Sequence, residues 1–284
     1  PAHVFNDFAL IAIEEALKKN DLVKAEEILA VFKEENRVVQ KNSIEFFRGL
    51  YYAKNEEEDK AVAALEPLTK EVFDPFNRTR AKFATTVLQL DKKKIDAKQA
   101  IANLNSVRAV WRGGQLEFHI LNLVGEFYME TNQYMDGFRV WREAISAFPG
   151  SDEALLIAKK MSEKFVKIFA HGEADKLPQL DAITLYYEFR ELTPIGKQGD
   201  EMISKLVDRL IDVDLVDRAS ALLTHQVRFR LVGEERDAAS TKLVKIHLIN
   251  HDPQKAIDVL DATDNAEMTP DVLRDRKYIR AQAL

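Results

Sequence analysis

The chain has 284 residues, 46% apolar and 31% charged, ample for a folded interior but long for a single compact core. Its formal net charge is −6, with lysine and arginine interspersed among the acids, so it lacks the basic stripe that a nucleic-acid groove requires. It contains no cysteine, which excludes disulfides, thiol catalysis and cysteine-ligated zinc.

Asn6 or Asp7 is placed to cap a first helix with Phe8, Ile11, Ile13 and Leu17 on one side. Asn20 and Asp21 make a turn, and a second helix faces back through Ala25, Leu29 and Phe32. In the next unit Gly49 is followed by Tyr52, Ala61 and Leu65 at offsets of three, twelve and sixteen, with a turn at residues 54–56. Asp74 and Pro75 read as a helix cap followed by proline at the first helical position. A third pair is marked by Phe83, Val87 and Leu90, a charged turn at 91–94, and then Ala100, Leu104 and Val107. Trp111 closes that pair, and Gly113 and Gly114 break the chain.

The pattern is clearest over residues 121–149. Gly125 is followed by Tyr128, Gly137, Trp141, Ala144 and Pro149 at offsets of three, twelve, sixteen, nineteen and twenty-four. Small residues at Gly125, Gly137 and Ala144 let two helix axes approach, while Tyr128 and Trp141 fill the space between hairpins. Pro149 and Gly150 stop the second helix.

Ser151 is expected to cap a long helix reaching about Phe169, with Leu155, Met161, Phe165 and Ile168 as its apolar positions. From His171 a longer connection leads to an aromatic helix over residues 180–192, and residues 193–196 break the chain. The period resumes with Ile203, Val207 and Leu210 against Ala219 and Leu223, then Leu243, Val244 and His247 against Ala256 and Leu260. Asp252 and Pro253 form another cap, and Thr269 and Pro270 open a last helix, giving seven hairpins and a terminal helix. The expected organisation is 1–150, an irregular hairpin at 151–196, and a continuation over 197–284.

These offsets resemble the helical hairpin of the tetratricopeptide (TPR) repeat family. The resemblance is specific at 125–149 and good at 49–65. It stays in phase at 25–29, 100–104, 219–223 and 256–260, and residues 151–192 depart from it. The wording of residues 187–194 and 199–203 also looks like large tetratricopeptide proteins of alphaproteobacteria, which carry no function across. The resemblance implies an all-α, right-handed α-solenoid of stacked hairpins that serves as a protein-interaction scaffold, with ligands on a concave face lined by the first helix of each hairpin.

Carried onto this sequence, the outward positions of those first helices are Asp7, Leu10 and Glu14, then Ser43, Phe46, Leu50 and Lys54, then His119, Asn122, Glu126 and Met129. Family members that grip an acidic peptide C-terminus use a Lys/Asn/Arg clamp there. Glu126 stands where such a clamp would want a neutral asparagine, so a carboxylate-terminal ligand is disfavoured. The mixed lining implies a helix or extended segment with apolar anchors and some positive charge. The alternative is a structural or self-associating segment of a longer solenoid, whose uncapped last helix exposes Val272, Leu273 and Ile279.

No catalytic, metal or cofactor site is expected, and the chain does not read as an enzyme. It has no glycine-rich phosphate loop and no G-x-S-x-G elbow. His247 and His251 stand at metal-ligand spacing, but Leu248 occupies the place of the glutamate that a zinc protease needs, and His247 fills the slot of Tyr128, which reads as a packed histidine. Tyr186, Tyr187 and Phe189 read as core rather than a stacking platform. The acids at 56–59 read as the negative first turn of a helix, the lysines at 92–94 as a solvated tip, and Arg228 and Arg230 near His225 as cations ending a helix. The partner is a protein or peptide, without nucleic acid. The longest apolar run, residues 8–13, is far too short for membrane insertion. A start at Pro1 and a stop within an apparent helix point to a piece of a longer chain, and the missing start methionine and cysteines fit a bacterial cell envelope or cytoplasm.

Overall fold

The computed structural model describes residues 2–32, 37–264 and 268–284. Among them the chain forms fifteen α-helices, two short 3₁₀ turns and no strand. The chain divides into two compact units, Pro1–Ala158 and Lys159–Leu284.

The first unit contains four hairpins: α1 (Ala2–Lys18) with α2 (Leu22–Val31), α3 (Val38–Lys54) with α4 (Glu58–Thr69), α5 (Pro75–Asp91) with α6 (Ala97–Arg108), and α7 (Gly114–Glu130) with α8 (Tyr134–Ala147). From α1 to α8 each helix packs on the next in sequence, and the first helices also meet, α1 on α3 and α3 on α5. That is a stack rather than a closed bundle, because apolar faces are buried only against neighbours in the chain. One core joins Ile13, Leu17 and Ala25 of the first hairpin to Phe46, Phe47 and Leu65 of the second and Ala81 of the third.

A single turn device joins the two helices of six hairpins. Asn20, Glu56, Lys93, Asn132, Asp214 and His251 all take a left-handed backbone, with φ between 55° and 63°. The next residue then donates its N–H to the carbonyl five residues earlier, as in Glu57 N to Tyr52 O at 2.9 Å, Gln133 N to Tyr128 O at 2.8 Å and Asp252 N to His247 O at 2.9 Å. This is the Schellman end of a helix, which satisfies carbonyls that the helix itself leaves open. Five residues after that left-handed residue, the returning helix presents Ala25, Ala61, Gly137, Ala219 or Ala256, all buried. The lysine turn is longer and breaks this offset, with buried Ala100 seven residues after Lys93.

The second unit contains α10 (Gln179–Glu188), α11 (Lys197–Asp212), α12 (Val216–Phe229), α13 (Gly233–Ile249), α14 (Pro253–Ala262) and α15 (Pro270–Ala283). Helix α9 (Asp152–Ala170) crosses from the first unit into it, capped as expected by Ser151, whose Oγ accepts the Ala154 N–H at 3.1 Å. Where small residues are missing, aromatic rings fill the space: Phe165 and Phe169 lie 5.5 and 5.0 Å from the Tyr186 ring. Tyr186 and Phe189 are buried, as core residues should be, while Tyr187 is only half-buried, with Arg218 5.8 Å from its ring.

Three details differ from the sequence expectation. Helix α1 begins at Ala2, so Asn6 is a fully buried interior residue, while Phe8 and Ile11 face outward at 70% and 68% exposure. Two apolar stripes overlap on this helix, and the one through Ala9, Ile13, Ala16 and Leu17 is buried. Leu155 is exposed and Ile157 takes its buried place on α9. Ile279 is not left open either, because α15 packs back on α13 and α14 and buries it with Val244, Ala256 and Leu260.

Candidate functional site

Of the positions inferred from the family on α1 and α3, Phe46 meets a side chain of α5 that was not among them, Arg80. Asp74 caps α5: its Oδ1 accepts the Asn77 N–H at 3.0 Å, and its Oδ2 accepts from Asn42 Nδ2 of α3 at 3.1 Å. Both carboxylate oxygens are therefore engaged, as a buried carboxylate requires. One turn on, the Asn77 amide reaches back to α3, lying 3.2 Å from both Val39 O and Ser43 Oγ. Arg80 follows three residues later and donates from Nε to Asn77 Oδ1 at 2.6 Å.

The Arg80 guanidinium lies 4.0 Å from the ring centroid of Phe46, 5.0 Å from Phe47 and 4.8 Å from Phe76. A planar, weakly hydrated cation is suited to such a cage. Burial draws its pKa down to about 10, opposed by the charges of Asp74 and Glu14, so it remains a cation at neutral pH. Its Nη2 is buried and donates to nothing.

Glu14 is exposed and pairs with Lys18 at 2.9 Å, while Asp7 accepts from Gln40 Nε2 at 2.6 Å. Leu10 and Leu50 are half-buried against the core of this unit, and exposed Lys54 donates to Asn20 Oδ1 at 3.3 Å. Phe46 corrects the expectation of an outward side chain: it is buried, because Arg80 lies over its ring.

On α7, His119 is exposed. Asn122 and Glu126 are half-buried and linked, Asn122 Nδ2 to Glu126 Oε1, at 3.3 Å. The carbonyl of Asn122 accepts the Trp141 indole N–H at 3.2 Å, and its side-chain Oδ1 is buried without a hydrogen bond. Met129 also corrects the expectation. It is buried against Gly137, where an added Cβ would lie 2.8 Å from its Cε.

Sequence reasoning missed Arg80, Asn77 and Asn42. The available signal was the run Asp74, Asn77, Arg80, three polar residues at three-residue spacing on one face of a helix directly after its cap.

The histidines pointed out by their spacing are separated in role. His247 is buried and its pKa is lowered by burial, while exposed His251 forms the left-handed turn. Among the described residues no group of three or more His, Cys, Asp or Glu stands together as metal ligands would. The lysine tip is tied down, since Lys94 pairs with Glu58 of the preceding hairpin. Arg230 pairs with Asp200 at 2.9 Å. No helix among the described residues is long and apolar enough to cross a membrane.

No protein-family model matches this chain, and no curated protein matches it in sequence. Solved structures similar to it include the apo form of RapI (TM-score 0.46, 11% identity, 98% of this chain and 87% of that chain). Another is the apo quorum sensor NprR from B. thuringiensis (TM-score 0.44, 14% identity, 90% and 87%). A third is a tetratricopeptide repeat protein from Parabacteroides merdae (TM-score 0.38, 15% identity, 97% and 98%). The chain resembles the tetratricopeptide-repeat proteins. Its hairpins place Gly125 against Trp141 and Gly49 against Leu65, the contacts that the spacing of that repeat demands.

Proposed function

We propose that the chain is a protein-interaction scaffold, and that the first-helix face of its first unit, on α1, α3, α5 and α7, holds a peptide or helical segment. The observation that carries this reading is Arg80: a caged cation with a hydrogen-bond donor left unmet, linked through Asn77 to Ser43 and within the field of Glu14. Buried donors without partners are uncommon in folded proteins, and a segment that parts the side chains covering Nη2 would bring a backbone carbonyl to it. Asn122 Oδ1 is a matching unmet acceptor on α7. Glu14 and Glu126 favour a segment with some positive charge, and half-buried Leu10 and Leu50 favour apolar anchors.

The test is selection of a displayed random-peptide library on the full chain. Peptides enriched on the wild type should carry Lys or Arg beside apolar residues. They should lose at least tenfold in affinity on a chain with Asn122→Ala and Glu126→Lys, whose helicity and melting are unchanged. Equal binding to both chains would place the peptide elsewhere.

A second reading, self-association, is favoured by a separate observation. Val4, Phe8 and Ile11 form an exposed apolar stripe on α1, with exposures of 41%, 70% and 68%. Light scattering over a concentration series tests it. Oligomers that dissociate with Phe8→Glu support it, and a monomer at all concentrations contradicts it.

A further inference from the structure

The second unit contains a cleft of about 270 Å³ between α11, α12 and α13. Its walls include Ile203 of α11, Leu223 of α12, Leu231 and the small residues Ala238 and Ala239 of α13. Two alanines side by side leave open the space that larger residues would close. The volume falls just under the range of cofactor and drug-sized pockets, so it suits a single side chain.

Gln226 also lines this cleft. It is only 3% exposed, yet its side-chain Oε1 is buried and accepts no hydrogen bond. Its backbone carbonyl is engaged by the Arg230 and Leu231 N–H groups, at 3.0 and 2.9 Å, which fixes this end of α12. An unmet acceptor beside apolar walls is destabilising until something donates to it. A carboxamide presents an acceptor and a donor side by side, the complement of the N–H and C=O of a peptide unit. Three ion pairs stand at the rim, Lys197 with Glu235 at 3.9 Å, Asp200 with Arg230 at 2.9 Å, and Lys242 with Asp208, and exposed Glu201 adds a further carboxylate. Such a rim disfavours an anion, and the apolar walls beneath it favour an uncharged side chain.

We propose that this cleft binds an uncharged aliphatic or aromatic side chain of a peptide segment, with the Gln226 carboxamide paired to that segment's backbone. The site lies wholly within the second unit and does not depend on the surface proposed for the first.

The probe is N-acetyl-L-leucinamide, titrated into the ¹⁵N-labelled full chain and followed by ¹H–¹⁵N correlation spectra. Saturating shifts are expected at the Gln226 side-chain amide and the backbone amides of Leu223, Leu231 and Ala239. N-acetylglycinamide and N-acetyl-L-lysinamide should need at least tenfold higher concentrations. Ala238→Phe, at an exposed helical position that leaves folding intact, fills the cleft and should abolish saturation. Gln226→Leu should weaken the leucine probe at least fivefold. Shifts that never saturate, that survive Ala238→Phe, that favour the lysine probe or that ignore Gln226→Leu would each overturn the proposal.

Discussion

The Trp141 indole occupies the position where a Cβ on residue 125 would stand, overlapping Trp141 Cδ1 and Nε1, and its N–H reaches the Asn122 carbonyl at 3.2 Å. The same relationship occurs two hairpins earlier, where a Cβ on Gly49 would lie 2.5 Å from Leu65 Cγ. In both hairpins the sixteen-residue offset is a contact in which a large side chain on the second helix uses the space left by a glycine on the first. That close approach sets the spacing of the stack and so the spacing of side chains on its first-helix face.

Gly125→Ala should therefore cost about 1–3 kcal/mol through overpacking, measured by urea denaturation. Gly137→Leu should cost a similar amount, about 1–3 kcal/mol, because Met129 Cε and Tyr128 Cβ stand 2.8 and 3.2 Å from the added Cβ. Trp141→Phe in the Gly125→Ala background should recover part of the loss. Unchanged denaturation curves would mean that the helices do not meet at these residues.

The left-handed turns give a second prediction. At Glu56 (φ 63°) a β-branched residue is strained, so Glu56→Val should lower stability by about 1–3 kcal/mol. Glu56→Gly should leave stability equal or higher. If valine and glycine behave alike in thermal melts, the turn is not held in this conformation.

His247 links stability to pH. Burial lowers its pKa from 6.5, against the opposing charge of Asp252, so the folded chain resists protonating it while the unfolded chain does not. The unfolded state then binds more protons as pH falls through about 6.5, and stability declines as pH falls below neutral through that value. His247→Tyr places in that slot the residue found at Tyr52 and Tyr128, and should remove this part of the decline in denaturation midpoints.

Glu117 acts in the opposite range. Burial pushes its carboxyl up, but Arg112, at 2.9 Å, and the Gly113 N–H outweigh that, leaving its pKa below the ordinary 4.5. Its stabilisation is present above the unfolded value and disappears as pH falls through the folded one. Glu117→Gln should cost about 1–2 kcal/mol at pH 7, and that difference should shrink as pH falls below about 4.5. A constant difference across that range would show that Glu117 contributes by packing rather than by charge.

The hairpin grammar was legible in the sequence because its parts are local. Asp74 and Asp252 accept from Asn77 N and Lys255 N as their positions before a proline foretold. Ala25, Ala61, Gly137, Ala219 and Ala256 follow their turns at a fixed offset and are buried. The face of α1 was not legible, since periodicity alone does not decide between two overlapping apolar stripes. Nor was Arg80. An arginine in an amphipathic helix reads as a surface charge, and only the approach of α3 brings Phe46 and Phe47 around it and Ser43 onto its partner Asn77. For the same reason Phe46 was expected outward and is buried.

The most direct test of the first-helix face as the place of binding is photocrosslinking of a library-selected peptide. Benzoylphenylalanine would stand at His119 on α7 or, separately, at Ser146 on α8, both exposed positions. The peptide should crosslink from residue 119 and not from 146. Crosslinking from 146 and not from 119 would contradict the account.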